Sequence, residues 1–292
     1  LSSSSAASDV YKRQIINGIT TGLVTATSVA TINGTASAIT TLIGNEGTSG
    51  DKVALDTDFA MTVSSGTATV DQANTMAAFN TSGAITATIS NTDIADLDDL
   101  TTSSADQLTI TVASTSATAS QLTTVAGATG LNVTATAVET VTGTATQVDA
   151  LLEVEGSTGD KVNLDADYAI TINSGTATVT QANAYATAAG VVTATISDTD
   201  IATLDDLTTA STDQLTITVA STTATAAQLT TVAGATGLNV TATAVETVTG
   251  TATTIEALLA VEGSTGDKVN LDGDFAINAV SYTHLRAHET SL

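Results

Sequence analysis

Short runs of alternating apolar and hydroxyl side chains recur along the chain. ITATIS begins at Ile85, LTITVA at Leu108 and LNVTAT at Leu131, so the numbering advances by 23 each time. VTATIS at Val192, LTITVA at Leu215 and LNVTAT at Leu238 keep the same step. In the second LTITVA, Leu215, Ile217 and Val219 share one face while Thr216 and Thr218 share the other, which is the period of a half-buried strand. After each run comes a Thr, Ser or Asp suited to capping a helix, then a short segment of helical spacing closed by Gly. STTATAAQLTTVAG (Ser221–Gly234) and GTATTIEALLAVEG (Gly250–Gly263) are the clearest of these. In the second, Thr251 is the expected N-cap, and Ile255, Leu258, Leu259 and Glu262 fall at helical spacing.

A longer period encloses the short one. GSTGDKVNLDADYAI at Gly156–Ile170 returns as GSTGDKVNLDGDFAI at Gly263–Ile277, and a relative, GTSGDKVALDTDFAM, ends at Met61. The spacing from Lys161 to Lys268 is 107 and that from Lys52 to Lys161 is 109, while VAGATGLNVTATAVETVTGTAT occurs twice unchanged. The step from Leu131 to Ile170 is longer, at 39, because it carries this insert, and a further 22 reaches Val192. A strand and a short helix in so short a repeat cannot bury their own apolar faces, but stacked neighbours can. The pattern therefore predicts an α/β solenoid of ~23-residue strand-plus-helix coils, with one parallel sheet and the helices on the opposite wall. Leu108 should lie beside Leu131 and Leu215 beside Leu238. The rival is a string of antiparallel, immunoglobulin-like β-sandwich domains of about 107 residues, a normal size for such modules. Repeat units are expected at residues 15–143 and 144–250, with a third beginning at 251–279.

Composition narrows the picture. The chain is 42% hydrophobic but only 2% aromatic, without Pro, Cys or Trp. Its core should be built from thin layers of Ala, Val, Leu and Ile, since aromatics bury the most area in a single large core. Without Cys there are no disulfides, no thiolate chemistry and no Cys-based metal site. No apolar run approaches the roughly 18 residues of a membrane span. The two ends read differently from the rest. DVYKRQ, after a Ser-rich leader, resembles one reading frame of the transposase mosaic end used in sequencing libraries. VSYTHLRAHET near the other end resembles the opposing adapter. Residues 1–14 and 280–292 are accordingly expected to be adapter-derived and to have no fold. Setting them aside removes both histidines, His284 and His288, and leaves Lys52, Lys161 and Lys268 against 28 acidic residues, a net charge near −25. Such a surface repels nucleic acid and anionic membranes, which bind through Lys and Arg.

The VTAT and ITIT strands, TVTGTATQVDALL and DTDIATLDDLTT together resemble the Ala/Thr/Asp-rich repeats of giant cell-surface proteins of marine unicellular cyanobacteria, of the swimming-motility type. The resemblance covers nearly all of residues 15–279. It implies a cell-surface or extracellular location, a very long parent chain and a structural, adhesin or motility-linked role, with other surface components, glycans or neighbouring repeats as partners.

Candidate chemistry is sparse. Without His or Cys, Ser/His/Asp, Cys/His and zinc-hydrolase schemes lack their parts. Asp98–Asp99 and Asp205–Asp206 are paired carboxylates, but a repeated array offers many equal sites and no single cleft, so no enzyme is expected. Calcium is the candidate metal. Asp165 and Asp167 sit two apart, which on a strand would aim both carboxylates to one face, with Asp160 in the adjoining Gly-flanked turn. Asp56, Asp58 and Asp51 repeat the arrangement, as do Asp272, Asp274 and Asp267. Neither the EF-hand spacing nor the nonapeptide calcium repeat is present. A lysine beside each cluster (Lys52, Lys161, Lys268) can neutralise the same carboxylates. Finally, Thr86/Thr88, Thr109/Thr111 and Thr134/Thr136, with Thr193/Thr195, Thr216/Thr218 and Thr241/Thr243, would stack as a two-column hydroxyl ladder. Such a face resembles ice-binding repeats, although Thr is also simply a soluble strand former.

Overall fold

The computed structural model describes residues 21–50, 52–159, 161–266 and 268–280. Residues 1–14 and 281–292, including His284 and His288, lie outside this set, as do Asp51, Asp160 and Asp267. The chain forms two compact units, Leu1–Tyr168 and Ala169–Leu292.

Both units are alternating strand–helix repeats with parallel sheets. In the first, helices Ala36–Gly44, Val70–Phe79, Ile94–Leu97, Ala119–Gly127 and Ala145–Val154 follow the strands Thr31–Gly34, Ala60–Val63, Ile85–Thr88, Ser116–Thr118 and Thr140–Thr144. Thr31–Gly34, Ala60–Val63, Ile85–Thr88 and Gln107–Thr109 form one sheet in chain order. Val24–Thr25 pairs with Val53–Ala54, Val133–Thr134 with Val162–Asn163, and Ser116–Thr118 with Thr140–Thr144. In the second unit, Ala169–Ser174, Val192–Thr195 and Gln214–Thr216 are neighbours in order. Thr223–Thr225, Thr247–Gly250 and Ala276–Ala279 form a second sheet, and Val240–Ala242 pairs with Val269–Leu271. Helices Val179–Ala188, Ile201–Leu204, Ala226–Gly234 and Ala252–Val261 complete it.

Every described pairing is parallel, joining a strand to its counterpart in the next repeat. The antiparallel hairpins required by a sandwich string are absent among the described residues. Several of the short repeats hold two strands rather than one: Gln107–Thr109 and Ser116–Thr118 both precede helix Ala119–Gly127. One sheet facing one wall of helices therefore gives way to separate small sheets.

Local chemistry explains the elements. In strand Ile85–Thr88 the pattern is buried, exposed, buried, exposed, with Ile85 and Ala87 inward and Thr86 and Thr88 outward. The longer helices begin at Thr, whose hydroxyl accepts a backbone N–H of the first turn, and the one-turn helices Ile94–Leu97 and Ile201–Leu204 begin at Asp93 and Asp200, whose carboxylates do the same. At Thr69, Thr118, Thr144, Thr178 and Thr225 a Gln three positions on accepts in return from the cap N–H, a full capping box. Thr251 is an N-cap as expected, and Ile255 and Leu258 are buried while Leu259 stays half exposed. Gly127 and Gly234 are the last helical residues, and neither has positive φ, so each ends its helix without the left-handed turn often used there.

The core is mainly aliphatic, but not only so. Phe59, Tyr168 and Tyr185 are among the largest fully buried side chains, at 0%, 1% and 0% exposure. The expectation of a core without aromatics is thus corrected. Burying a large apolar side chain of this kind contributes roughly 1.5–3 kcal/mol. The rings of Phe59 and Phe79 meet with centroids 5.9 Å apart at 43°.

Buried polar groups tie one repeat to the next. Thr129 is fully buried. Its hydroxyl accepts the Leu108 N–H at 2.9 Å and donates to the Leu108 carbonyl at 2.9 Å. Thr236 does the same to Leu215, at 2.9 and 2.8 Å. Leu108 therefore does not pair through its backbone with Leu131, nor Leu215 with Leu238; a threonine hydroxyl takes that place. The expected register resumes shortly afterwards, at the Thr111–Thr134 and Thr218–Thr241 bridges.

Candidate functional site

The three Gly- and Asp-rich inserts are built alike. After helix Ala145–Val154 the chain turns back, so that Glu155 bridges Val162 and the Gly156 N–H donates to the Val162 carbonyl at 2.9 Å. Gly159, in the same turn, has φ of +76°, a conformation glycine adopts without strain. Glu46 and Glu262 bridge Val53 and Val269 in the same way. Lys161 then lies over the preceding helix end, its ammonium donating to the Glu153 carbonyl. Lys268 reaches the Ala260 carbonyl at 2.8 Å. A cation at a helix C-terminus satisfies an orphan carbonyl and complements the helix dipole. That assigns these two lysines a capping task the sequence pattern did not suggest.

Asp165 and Asp167 do not share a strand face. They lie in the turn between strands Val162–Asn163 and Ala169–Ser174, with buried Leu164 and Tyr168 on either side. The strand ends at Asn163, and Tyr168 beyond the turn is buried. Asp165 Oδ1 accepts the N–H of Ala166 at 2.8 Å; Asp56 and Asp272 bond Thr57 and Gly273 in the same way, at 2.8 and 2.7 Å. Asp58 and Asp274 lie at the corresponding turn positions. Asp165 and Asp167 line an open depression of about 340 Å³ with Thr136, Ala137, Val138 and Glu139. Among the described residues, no three His, Cys, Asp or Glu side chains are grouped closely enough to hold a metal ion. Asp98 and Asp205 follow the one-turn helices Ile94–Leu97 and Ile201–Leu204 as C-caps. The backbone carbonyls of their neighbours, Asp99 and Asp206, accept from the Asn74 and Asn183 amides at 2.8 Å.

The threonine face also departs from the expected ladder. Thr88 lies beside Thr109 and Thr195 beside Thr216, but Thr86 faces Gln107 and Thr193 faces Gln214. These pairings join position i to i + 21, whereas the Thr111–Thr134 bridge joins i to i + 23. The change of register moves the hydroxyls by one column, so threonines adjoin in pairs and no continuous two-column array forms. Asn163 and Asn270 follow Thr134 and Thr241 in the next repeat.

Sequence reasoning missed a pair of ionisable side chains, Tyr168 buried and Glu155 half-buried. The Tyr168 hydroxyl donates to Glu155 Oε2 at 3.1 Å. Burial raises the Glu155 carboxyl above its ordinary 4.5, and the tyrosine hydrogen bond lowers it by less. Burial, together with the neighbouring carboxylate, pushes the Tyr168 phenol well up. Glu46 and Glu262 occupy the same repeat position, but their partners at the tyrosine position are Phe59 and Phe275. A carboxyl whose folded pKa lies above the unfolded one stabilises fully below about 4.5 and loses that contribution as pH rises through the folded value. Glu155→Gln keeps an acceptor for Tyr168 and removes the charge. It is expected to melt higher than the parent at pH 7, with the gap closing toward pH 4; equal melting temperatures at both pH values would contradict the burial argument.

Two more carboxylates are structural. Asp106 and Asp213 are 6% and 3% exposed. Asp106 accepts the N–H groups of Ile85 and Ser103 at 2.8 and 2.9 Å, and Asp213 those of Val192 and Ala210 at the same distances. Their recurrence one long period apart was visible, but nothing in the pattern separated them from the many exposed aspartates. Compared with known proteins, the chain matches no family model, no curated protein and no solved structure. No helix among the described residues is long and apolar enough to cross a membrane.

Proposed function

We propose that this chain is a non-catalytic structural repeat segment of a large secreted or cell-surface bacterial protein, its strand–helix repeats stacked as a solenoid. The observation that carries the reading is that the same joints recur between successive repeats. Thr129 and Thr236 bond Leu108 and Leu215, and Asp106 and Asp213 bond Ile85 and Val192, each across 21 residues. A repeat closed by its neighbour in this way extends by addition, which suits a stalk or adhesin spacer. The likeness of VTAT, TVTGTATQVDALL and DTDIATLDDLTT to cyanobacterial surface repeats supports the location, and the acidic surface keeps so long an array soluble. On this reading its partners are other surface components, glycans or further repeats.

The reading is tested with one, two and four tandem copies of residues 144–250 in solution scattering. Stacking predicts that the longest dimension grows by a constant step per copy. Compact packing predicts a radius of gyration rising only as about the 0.38 power of length, and that outcome would overturn the proposal. Location has its own readout: antibodies to residues 15–279 should label intact cells carrying the coding sequence, and labelling that needs permeabilised cells would refute it.

A further inference from the structure

The turn that carries Asp165 and Asp167 is built three times, and the copies differ at the residue after the first aspartate. Asp56 Oδ1 accepts the Thr57 N–H at 2.8 Å, Asp165 Oδ1 the Ala166 N–H at 2.8 Å, and Asp272 Oδ1 the Gly273 N–H at 2.7 Å. These aspartates and the residues that follow them are all exposed. Each turn leads from the strand of the insert (Val53–Ala54, Val162–Asn163 or Val269–Leu271) to the next strand of the repeat. Asp272 is the one aspartate in the sequence that is followed by Gly.

This contact brings a nucleophile to an electrophile. The carboxyl carbon lies one bond from Oδ1, so a hydrogen bond to the next backbone nitrogen keeps that carbon beside the nitrogen. Nitrogen, backbone carbonyl carbon, Cα, Cβ and Cγ are then the members of a ring that lacks only its closing bond. Holding reacting atoms together in this way removes much of the entropic barrier to bond formation. What remains is crowding by the residue that supplies the nitrogen. Ala166 and Thr57 carry a Cβ there, whereas Gly273 has none and its backbone turns freely.

We infer that Asp272 is a site of spontaneous backbone rearrangement, passing through a succinimide to isoaspartate. In the first step the Gly273 nitrogen bonds to Asp272 Cγ. The nitrogen's hydrogen and the hydroxyl of the protonated carboxyl depart together as one water. In the second step water adds to the imide. Opening at Cγ restores Asp272. Opening at the original backbone carbonyl leaves the main chain running through Cβ and Cγ, with a free carboxylate on Cα. Composition and charge match the parent, and water is the only co-reactant. The product carries one more methylene in the backbone between Leu271 and Phe275, in the turn that joins two paired strands.

The full chain is kept folded in warm, mildly acidic buffer, sampled over time, digested and read by mass spectrometry with electron-transfer fragmentation, which separates isoaspartate from aspartate. Methylation by an isoaspartyl carboxyl methyltransferase gives an independent count. Because only Gly leaves the nitrogen unhindered, isoaspartate should accumulate at residue 272 at least about tenfold faster than at 165 or 56. Gly273→Ala should bring residue 272 down to the rate at 165. A Cβ at Gly273 would meet nothing within 4 Å, so this variant should keep the parent's circular dichroism. Ala166→Gly should raise the rate at residue 165 toward that at 272. A peptide of residues 268–278, which lacks the folded turn, should react more slowly than the full chain. Equal rates at the three turns, no isoaspartate at 272, no response to either substitution, or a peptide as fast as the folded chain would overturn the inference.

Discussion

Asp213→Ala is expected to destabilise the Ala169–Leu292 unit by about 3 kcal/mol or more. The carboxylate is 3% exposed and accepts two backbone N–H groups, from Val192 at 2.8 Å and Ala210 at 2.9 Å. Removing it leaves both donors buried without a partner, at roughly 1–3 kcal/mol each. Asp213→Asn should recover little. Its amide offers one acceptor, so one backbone N–H then faces an NH2 group rather than an oxygen. The effect is local before it is global. In amide exchange, the Val192 and Ala210 protons should be strongly protected in the parent and exchange quickly in the variant, while the Leu1–Tyr168 unit keeps its protection. Asp106→Ala should mirror the result through Ile85 and Ser103. A melting curve superimposable on the parent's would mean that these N–H groups find other acceptors, and would remove Asp106 and Asp213 from the account of how repeats are joined.

These carboxylates also mark the boundary of what the sequence discloses. Periodicity depends on many residues at once, so the alternation at Ile85, Leu108 and Val192, the capping threonines and the parallel order of repeats could all be anticipated from it. Register depends on single residues. The step between Thr88 and Thr109 is two residues shorter than that between Thr111 and Thr134, and a slip of two keeps each hydroxyl on its face but moves it to a new neighbour. The threonine ladder fails for that reason. Asp165 and Asp167 show the same limit: period 2 places them on one face only if the strand continues, and it stops at Asn163. Thr129 and Asp106 were indistinguishable from the many exposed Thr and Asp because burial is set by the coil above. Tyr168 and Glu155 are thirteen residues apart, and their hydrogen bond exists only once the insert folds back on its helix.

Glycine gives the sharpest separation between position and pattern, and the largest expected effect. Gly83→Ala is expected to cost about 3 kcal/mol or more, the scale of severe overpacking. The new Cβ would lie 2.1 Å from the Phe59 carbonyl oxygen and 2.5 Å from its carbon, against backbone that cannot rotate away. Relief requires the strands Ala60–Val63 and Ile85–Thr88 to part, which would uncover Met61 and loosen the Asn80 amide bond to the Phe59 carbonyl, 2.9 Å in the parent. Gly127→Ala is the matched control. That glycine ends helix Ala119–Gly127 without positive φ, and a Cβ there would meet nothing within 4 Å. Alanine at a helical position with free space restricts the unfolded chain and should stabilise by about 0.4–1 kcal/mol. Urea melts of the two variants should therefore move in opposite directions from the parent. If Gly83→Ala left the midpoint unchanged, the close stacking of these two strands would be wrong.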